Sequence, residues 1–165
     1  MKTRMRQMCL FAVVAVTSVV VLAGTALAQS SSPTNIGTWK LNLAKSTYSA
    51  GTAPKSAAFT VEAAGAGIKA TVDSVAADGT VAHWGFTANY DGKDNPITGN
   101  SPYGDVVAAT RVDASTVRVI YKKGGTVTVT KTQVVSSDGK TDTITNTSTN
   151  AQGQTVSSVR VYDKQ

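Results

Sequence analysis

The sequence predicts an all-β domain, a single antiparallel up-and-down β-barrel of about 8–10 strands. Three observations favour this fold. Turn signals recur at short intervals, apolar and polar residues alternate between them, and no long helical pattern follows the N-terminal segment. A meander of short strands protects its edges best by closing into a barrel. A sandwich of two sheets has the same sequence pattern and is the alternative.

The individual strands are predicted from an alternation with a period of two, because successive side chains of a half-buried strand point to opposite faces. In one strand Ala82, Trp84, Phe86, Ala88 and Tyr90 share the apolar face. Asp-Gly and Gly-Gly pairs between strands supply the positive φ angles that tight hairpins require. We count about nine strands. The clearest cover residues 38–43, 59–62, 68–73, 81–90, 117–121, 127–129, 141–149 and 155–163.

The strand at residues 141–149 has no ordinary core face. One of its faces carries threonines, and the other carries Ile144, Asn146 and Ser148. This pattern is typical of a solvated edge strand or of a strand that lines a wet interior.

The N-terminal segment, residues 1–28, is typical of a secretory signal peptide. It starts with three basic residues and no acidic ones, and an apolar run follows over residues 10–23. Small residues at Ala26 and Ala28 occupy the positions that a signal peptidase reads. An uncleaved membrane anchor is the alternative, since the apolar run is close to the minimum length that crosses a bilayer. We expect cleavage and export.

Cleavage would leave residues 29–35 as a disordered linker and residues 36–165 as the barrel domain, in the periplasm or outside the cell. The only cysteine, Cys9, precedes the apolar run, so the exported domain would contain no disulfide. The remaining basic residues are scattered rather than gathered in a stripe, which argues against nucleic-acid binding. The chain also lacks the apolar stripe and aromatic girdles of an outer-membrane barrel, so we expect no stable membrane insertion.

The two ends of the barrel region resemble the calycin superfamily. Gly37 and Trp39 form a G-x-W motif in the first strand, and Arg160 and Tyr162 form an R-x-Y motif in the last. Lipocalins open with the first motif, and the more similar fatty-acid-binding proteins also close with the second. The resemblance implies a lipocalin-like barrel whose first and last strands pair near Gly37 and Trp39. It also implies an interior cavity for a fatty acid or a similar ligand.

In the fatty-acid-binding proteins the R-x-Y pair points inward and holds the ligand carboxylate, which implies the same ligand-binding role for Arg160 and Tyr162. A guanidinium can bind a carboxylate through two hydrogen bonds, and a phenol adds a further donor. Trp84, Phe86 and Tyr90 would form the apolar wall of the cavity.

Two other arrangements of this strand remain open. Val159 and Val161 could face the interior, leaving Arg160 and Tyr162 outside. Alternatively, Arg160 could stack on Trp39 as a structural latch.

The chain also departs from the fatty-acid-binding proteins. Residues 44–56 are too short for the helical pair that covers their barrels. Their second ligand-binding arginine has no clear match, although Lys131 or Thr132 falls near its position. Those proteins are cytosolic, whereas this chain is expected to be exported.

No residues form a recognisable catalytic or metal-binding motif. His83, the only histidine, lies on the polar face of its strand. Asp91, Asp94 and Asn95 offer oxygen ligands in a turn, but their spacing differs from that of a calcium loop. We therefore expect no catalytic residues, no metal and no cofactor.

The leading hypothesis is an exported binding protein that carries or sequesters a small apolar ligand, fatty-acid-like and possessing a carboxylate, inside the barrel. A second hypothesis is a cell-envelope domain with a filled core that acts through its surface. A third, a barrel enzyme, would need polar groups clustered in one cleft.

Overall fold

The computed structural model describes residues 35–48, 53–150 and 152–165. These residues form ten strands that follow one another in chain order around a closed antiparallel barrel. The up-and-down barrel predicted from the sequence is confirmed, and the two-sheet sandwich is ruled out. The strands are β1 (Gly37–Tyr48), β2 (Ser56–Ala64), β3 (Gly67–Val75), β4 (Val81–Asn89), β5 (Asp91–Gly99), β6 (Val106–Arg111), β7 (Thr116–Lys123), β8 (Thr126–Val135), β9 (Thr141–Thr149) and β10 (Thr155–Lys164).

The predicted signal peptide and nearly all of the predicted linker lie outside the described residues. The exception is Asn35, the last linker residue, which is buried at one end of the barrel. Nowhere in the described ranges does a helix occur that is long and apolar enough to cross a membrane.

Strands β5 and β6 were not placed from the sequence. β5 begins with an Asp-Gly pair and contains Pro96, and it shows no apolar alternation. Its ladder with β4 extends over only three residue pairs, from Phe86 with Ile97 to Trp84 with Gly99. Pro96 lies outside that ladder and pairs with Val106 of β6, so its missing N–H costs no hydrogen bond to β4.

Two predicted faces are interrupted by irregular pairing. Leu43 was grouped with Trp39 and Leu41 but is 44% exposed, because the register between β1 and β10 shifts between Asn42 and Thr47. A bulge inserts an extra residue and turns the following side chains to the other face.

The same effect separates Val127 from Val129. The sequence places both on one face, but Val127 is 53% exposed while Val129 is buried. The register between β7 and β8 shifts between Tyr121 and Lys122, which leaves Thr128 as the extra residue.

One end of the barrel, where β1 begins, is closed by a small hydrogen-bonded cluster that we call the closed end. Trp39 is completely buried there, and its indole N–H donates to the backbone oxygen of Asn35 at 2.9 Å. The hydroxyl of Tyr90 donates to the side-chain oxygen of Asn35 at 3.1 Å. Trp39 also pairs with Lys164 of β10 and with Phe59 of β2, so it lies where the first and last strands of the barrel meet.

Candidate functional site

The interior of the barrel has two chemically different walls. We call the inward-facing side chains of β2, β3 and β4 the apolar wall and those of β8, β9 and β10 the polar wall. Clean alternation along β2 to β4 directs aromatic and aliphatic residues inward. The apolar wall includes Phe59, Val61, Ile68, Ala70, Trp84 and Phe86. The polar wall includes Lys131, Gln133, Asp142, Asn146, Ser158 and Arg160.

Between the walls lies a small central cavity. Its volume is about 70 Å³, compared with about 300 Å³ or more for an ordinary ligand pocket. It can therefore hold a few water molecules in this conformation but not a fatty acid. Four of the five predicted ligand-binding residues line it: Trp84, Phe86, Arg160 and Tyr162. The fifth, Tyr90, is bound to Asn35 at the closed end, with the Arg111 guanidinium 4.5 Å from its ring centre.

The last strand therefore presents its Arg-x-Tyr face to the interior. The arrangement with Val159 and Val161 facing inward is wrong, and so is the stacking of Arg160 on Trp39. The Trp39 ring is instead covered by the Lys164 ammonium at 5.3 Å. Tyr162 is buried with its ring edge against Phe59, the two centres 4.9 Å apart, and burial raises its pKa.

Tyr103 covers the cavity at the end of the barrel opposite the closed end, which we call the open end. The sequence did not indicate it as a site residue. It belongs to the loop between β5 and β6, and its ring packs edge-on against Trp84 and tilted against Tyr121. Its hydroxyl accepts a hydrogen bond from Arg160 Nη1 at 2.9 Å. Its backbone oxygen accepts one from the Thr128 hydroxyl. An aromatic residue in an otherwise polar turn was the only signal for this role in the sequence.

Two glycines anchor the loop that carries Tyr103. Gly99 has a φ of +87° and Gly104 a φ of +152°, conformations that side chains with a Cβ rarely adopt. A Cβ on Gly99 would lie 2.2 Å from the backbone oxygen of His83, and one on Gly104 would lie 2.1 Å from that of Lys122. The loop is thus held tightly against β4 and β7 on either side of the tyrosine.

Tyr103 and Arg160 also separate the central cavity from two clefts at the open end. One cleft has a volume of about 420 Å³ and includes Tyr48, Asn146 and Ser158. The other has a volume of about 400 Å³ and lies between the turn after β3 and the loop that holds Tyr103. Tyr103 and Arg160 line the cavity and both clefts. Together they form the partition between the interior and the clefts.

Lys131 is a second basic residue inside the barrel. It is one of the two residues that fall near the position of the second ligand-binding arginine in the fatty-acid-binding proteins. Its Nζ lies 4.1 Å from the ring centre of Tyr103, 4.5 Å from that of Tyr121 and 5.6 Å from that of Trp84. Burial, and then the charge of Arg160, lower its pKa from 10.5 to about 7. The three rings act against this shift because their faces attract a cation, but they supply no counter-charge.

Asp142 and Gln133 form a buried pair on the polar wall. The Gln133 amide donates to Asp142 Oδ2, while Oδ1 has no hydrogen-bond partner. Burial raises the pKa of Asp142 to about 7, and the bond from Gln133 opposes that shift. Burial away from water disfavours the charged carboxylate, so this position favours the protonated form of Asp142.

The remaining candidates lie on the outer surface. His83 is exposed, with its Nδ1 2.7 Å from Asp73 Oδ1. Asp94 belongs to β5 rather than to a turn and forms an ion pair with Lys122 at 2.7 Å. Throughout the described ranges, no three His, Cys, Asp or Glu side chains are grouped so that they could hold a metal ion.

Comparison with known proteins shows likeness in structure but not in sequence. No family model matches the chain, and neither does any curated protein. The barrel is similar to EF1p2_mFAP2b, solved bound to DFHBI, with a TM-score of 0.51, 9% identity, and coverage of 82% of this chain and 98% of that one. It is also similar to zebrafish ileal bile acid-binding protein complexed with cholic acid. The TM-score there is 0.48, with 13% identity and coverage of 80% of this chain and 99% of that one.

At these identities the likeness concerns the fold. It agrees with the geometry described above: ten strands in one closed up-and-down barrel, with β1 paired to β10 and Trp39 buried at the closure. The described residues therefore form a closed, ten-strand up-and-down β-barrel that is similar in fold to EF1p2_mFAP2b.

Proposed function

We propose that this protein is an exported binding protein that carries or sequesters a small apolar molecule with an anionic group, such as a carboxylate. The ligand would lie between the two walls of the barrel. Its apolar part would contact Trp84 and Phe86, and its anionic group would be bound by Arg160 and Tyr162. EF1p2_mFAP2b, which has a similar fold, was solved with a small molecule bound, and this supports a binding role over an enzymatic one.

The observation that carries the proposal is the uncompensated charge of the interior. Among the described residues, no carboxylate forms an ion pair with either Arg160 or Lys131. The Nε atom of Arg160, the indole nitrogen of Trp84 and the side-chain oxygen of Asn146 are buried without hydrogen-bond partners. Unpaired buried charges and polar atoms cost stability. An anion with further polar groups would compensate them.

Binding requires the partition to open, because the central cavity alone is too small. Movement of Tyr103 away from Trp84 would break its bond to Arg160 and join the cavity to the clefts. Either cleft has a volume of about 400 Å³, which falls within the ordinary range for ligand pockets. The Arg160 guanidinium, which donates to the Tyr103 hydroxyl in this conformation, would then be free to bind the ligand.

The test is native mass spectrometry of the protein purified gently from its own host, with extraction of any molecule that accompanies it. Titration with a fatty acid and with the anionic dye ANS would follow. We expect a bound small molecule that is lost in the Arg160→Ala, Tyr162→Phe double variant. Arg118→Ala, which removes an exposed arginine from the outer face of β7, is the matched control and should retain the ligand.

A second function, a filled-core domain that acts through its surface, is favoured by the volume of about 70 Å³ in the central cavity. The Tyr103→Ala variant separates these two functions, since it removes the aromatic ring from the partition and leaves Arg160 in place. Binding of dye by this variant, with displacement by fatty acid, would support the carrier. An empty native protein together with a variant that binds neither compound would favour the filled-core domain.

A further inference from the structure

We propose that Lys131 captures ligands that contain an aldehyde, forming a covalent imine inside the barrel. This activity goes beyond non-covalent carriage. It rests on the proposed function only in that the ligand must reach the interior.

The surroundings of Lys131 are those of a reactive amine rather than of a structural ion pair. Its Nζ faces the cavity and lies 3.4 Å from the hydroxyl oxygen of Tyr121. The charged and titratable groups that face it are Arg160 from β10, Tyr121 from β7 and Tyr103 from the loop after β5. None of the three is an acid that would hold the amine as an ammonium ion at neutral pH.

The reaction needs no oxidant, reductant or cofactor. The neutral Nζ attacks the carbonyl carbon, and a carbon–nitrogen bond forms to give a carbinolamine. The hydroxyl oxygen of this intermediate then takes up a proton, and the carbon–oxygen bond breaks to release water. The nitrogen loses a proton, and the C=N bond of the imine remains. The Tyr121 hydroxyl, 3.4 Å from Nζ, is placed to relay a proton from the nitrogen to the departing oxygen.

The same chemistry explains why Lys131 would react before the surface lysines. An ordinary lysine has a pKa of about 10.4, so only about one amine in a thousand or fewer is neutral near pH 7. At Lys131, where burial and Arg160 lower the pKa to about 7, close to half of the amine would be neutral. A hydrophobic pocket beside a second cation is a known way of activating a lysine nucleophile.

The experiment treats the purified protein with hexanal near pH 7 in the presence of cyanoborohydride, which reduces an imine to a stable amine. Intact-mass measurement counts the adducts, and peptide mapping locates them. We expect one dominant adduct on Lys131 and at least about tenfold less labelling in Lys131→Met, given the difference in neutral amine. Lys131→Arg should also lose the adduct although it keeps a cation. Lys123→Met, which removes an exposed lysine, should label like the parent protein.

Labelling spread over the surface lysines and unchanged in Lys131→Met would overturn the proposal. So would a lack of adduct on Lys131 in both the parent protein and the Tyr103→Ala variant, since the open variant removes slow entry as an explanation. Near-UV circular dichroism of Lys131→Met provides a separate readout, because it reports fixed tertiary packing. A variant that keeps the spectrum of the parent protein but does not label is folded and lacks only the reactive amine. A parent protein that labels on Lys131 but binds neither dye nor fatty acid would retain the covalent activity and lose the carrier function.

Discussion

The apolar and polar walls of this barrel are built from antiparallel strands of similar length, 9 residues on the first and 9 or 10 on the second, yet their inward-facing side chains differ in chemistry. On the apolar wall Phe59, Trp84 and their neighbours pack against one another as in any protein core. On the polar wall Lys131, Asp142 and Arg160 are held inside, and none of them forms an ion pair with another described residue.

The difference shows that one wall stabilises the fold while the other costs stability. Burial of apolar surface is the main favourable contribution to folding, whereas a buried charge without a partner is unfavourable. Substitutions on the two walls should therefore act in opposite directions. Proteins commonly tolerate destabilising groups at binding sites, which agrees with a binding role for the polar wall.

The largest effect is expected on the apolar wall. Phe59→Ala removes a buried ring that contacts Trp39 and Tyr162, and we expect a loss of about 3–5 kcal/mol in the free energy of unfolding. Urea denaturation measures this loss. Val127→Ala, at an exposed position on β8, is the control and should change stability by less than about 0.5 kcal/mol. Similar losses in both variants would contradict the assignment of the apolar wall to the core.

On the polar wall, Asp142→Asn should stabilise the protein. The folded state raises the pKa of Asp142 from 3.8 to about 7, so it binds the proton more tightly than the unfolded state does. Stability should therefore fall as the pH rises through this interval, by at most about 4 kcal/mol. The neutral amide of the variant would avoid this loss. Thermal unfolding between about pH 4 and pH 8 checks it, and identical pH profiles for the two proteins would contradict it.

Lys131→Met should also stabilise the protein, but over the opposite range of pH. The folded state lowers the pKa of Lys131 from 10.5 to about 7, so stability should rise as the pH increases through this interval. The variant should be more stable than the parent protein by about 2–4 kcal/mol below pH 7, because the rings offset part of the cost of burial. The difference should shrink in melting curves recorded at increasing pH. A difference that is constant with pH would indicate a packing effect.

The smallest effect is expected at the partition between the central cavity and the clefts. Tyr103→Phe keeps the ring against Trp84 and Tyr121 but removes the hydroxyl that accepts from Arg160. We expect a loss of about 1–2 kcal/mol together with faster uptake of ANS, which stopped-flow fluorescence measures. An unchanged rate of uptake would show that this hydrogen bond does not control entry to the cavity.

The apolar wall could be predicted from the sequence because its alternation is regular. Ala82, Trp84, Phe86 and Ala88 are the inward face of β4 in the structure as in the prediction. The pairing of β10 with β1 followed from the resemblance of the two terminal motifs. In these segments local pattern and tertiary contact agree.

From the sequence, the polar wall could be recognised only by a strand that has no ordinary apolar face. Residues 141–149 have no apolar face in sequence, and the structure shows that Asp142, Ile144 and Asn146 face the interior while the threonines face outward. Period-two alternation indicates which residues share a face, but it cannot say which face is inside when neither is apolar. The same ambiguity applied to Arg160 and Tyr162.

The sequence by itself determined that the described region is a β-meander and which residues share each face of most strands. The resemblance of its terminal motifs implied that the strands of Trp39 and Arg160 pair. The tertiary structure alone decided which faces of β9 and β10 point inward, where the bulges reverse the faces of β1 and β8, and that Tyr103 reaches across from a loop to bind Arg160. The physical reason is that strand pattern depends on neighbours in the chain. Closure of the barrel brings together side chains 57 residues apart, and such contacts leave no periodic signal.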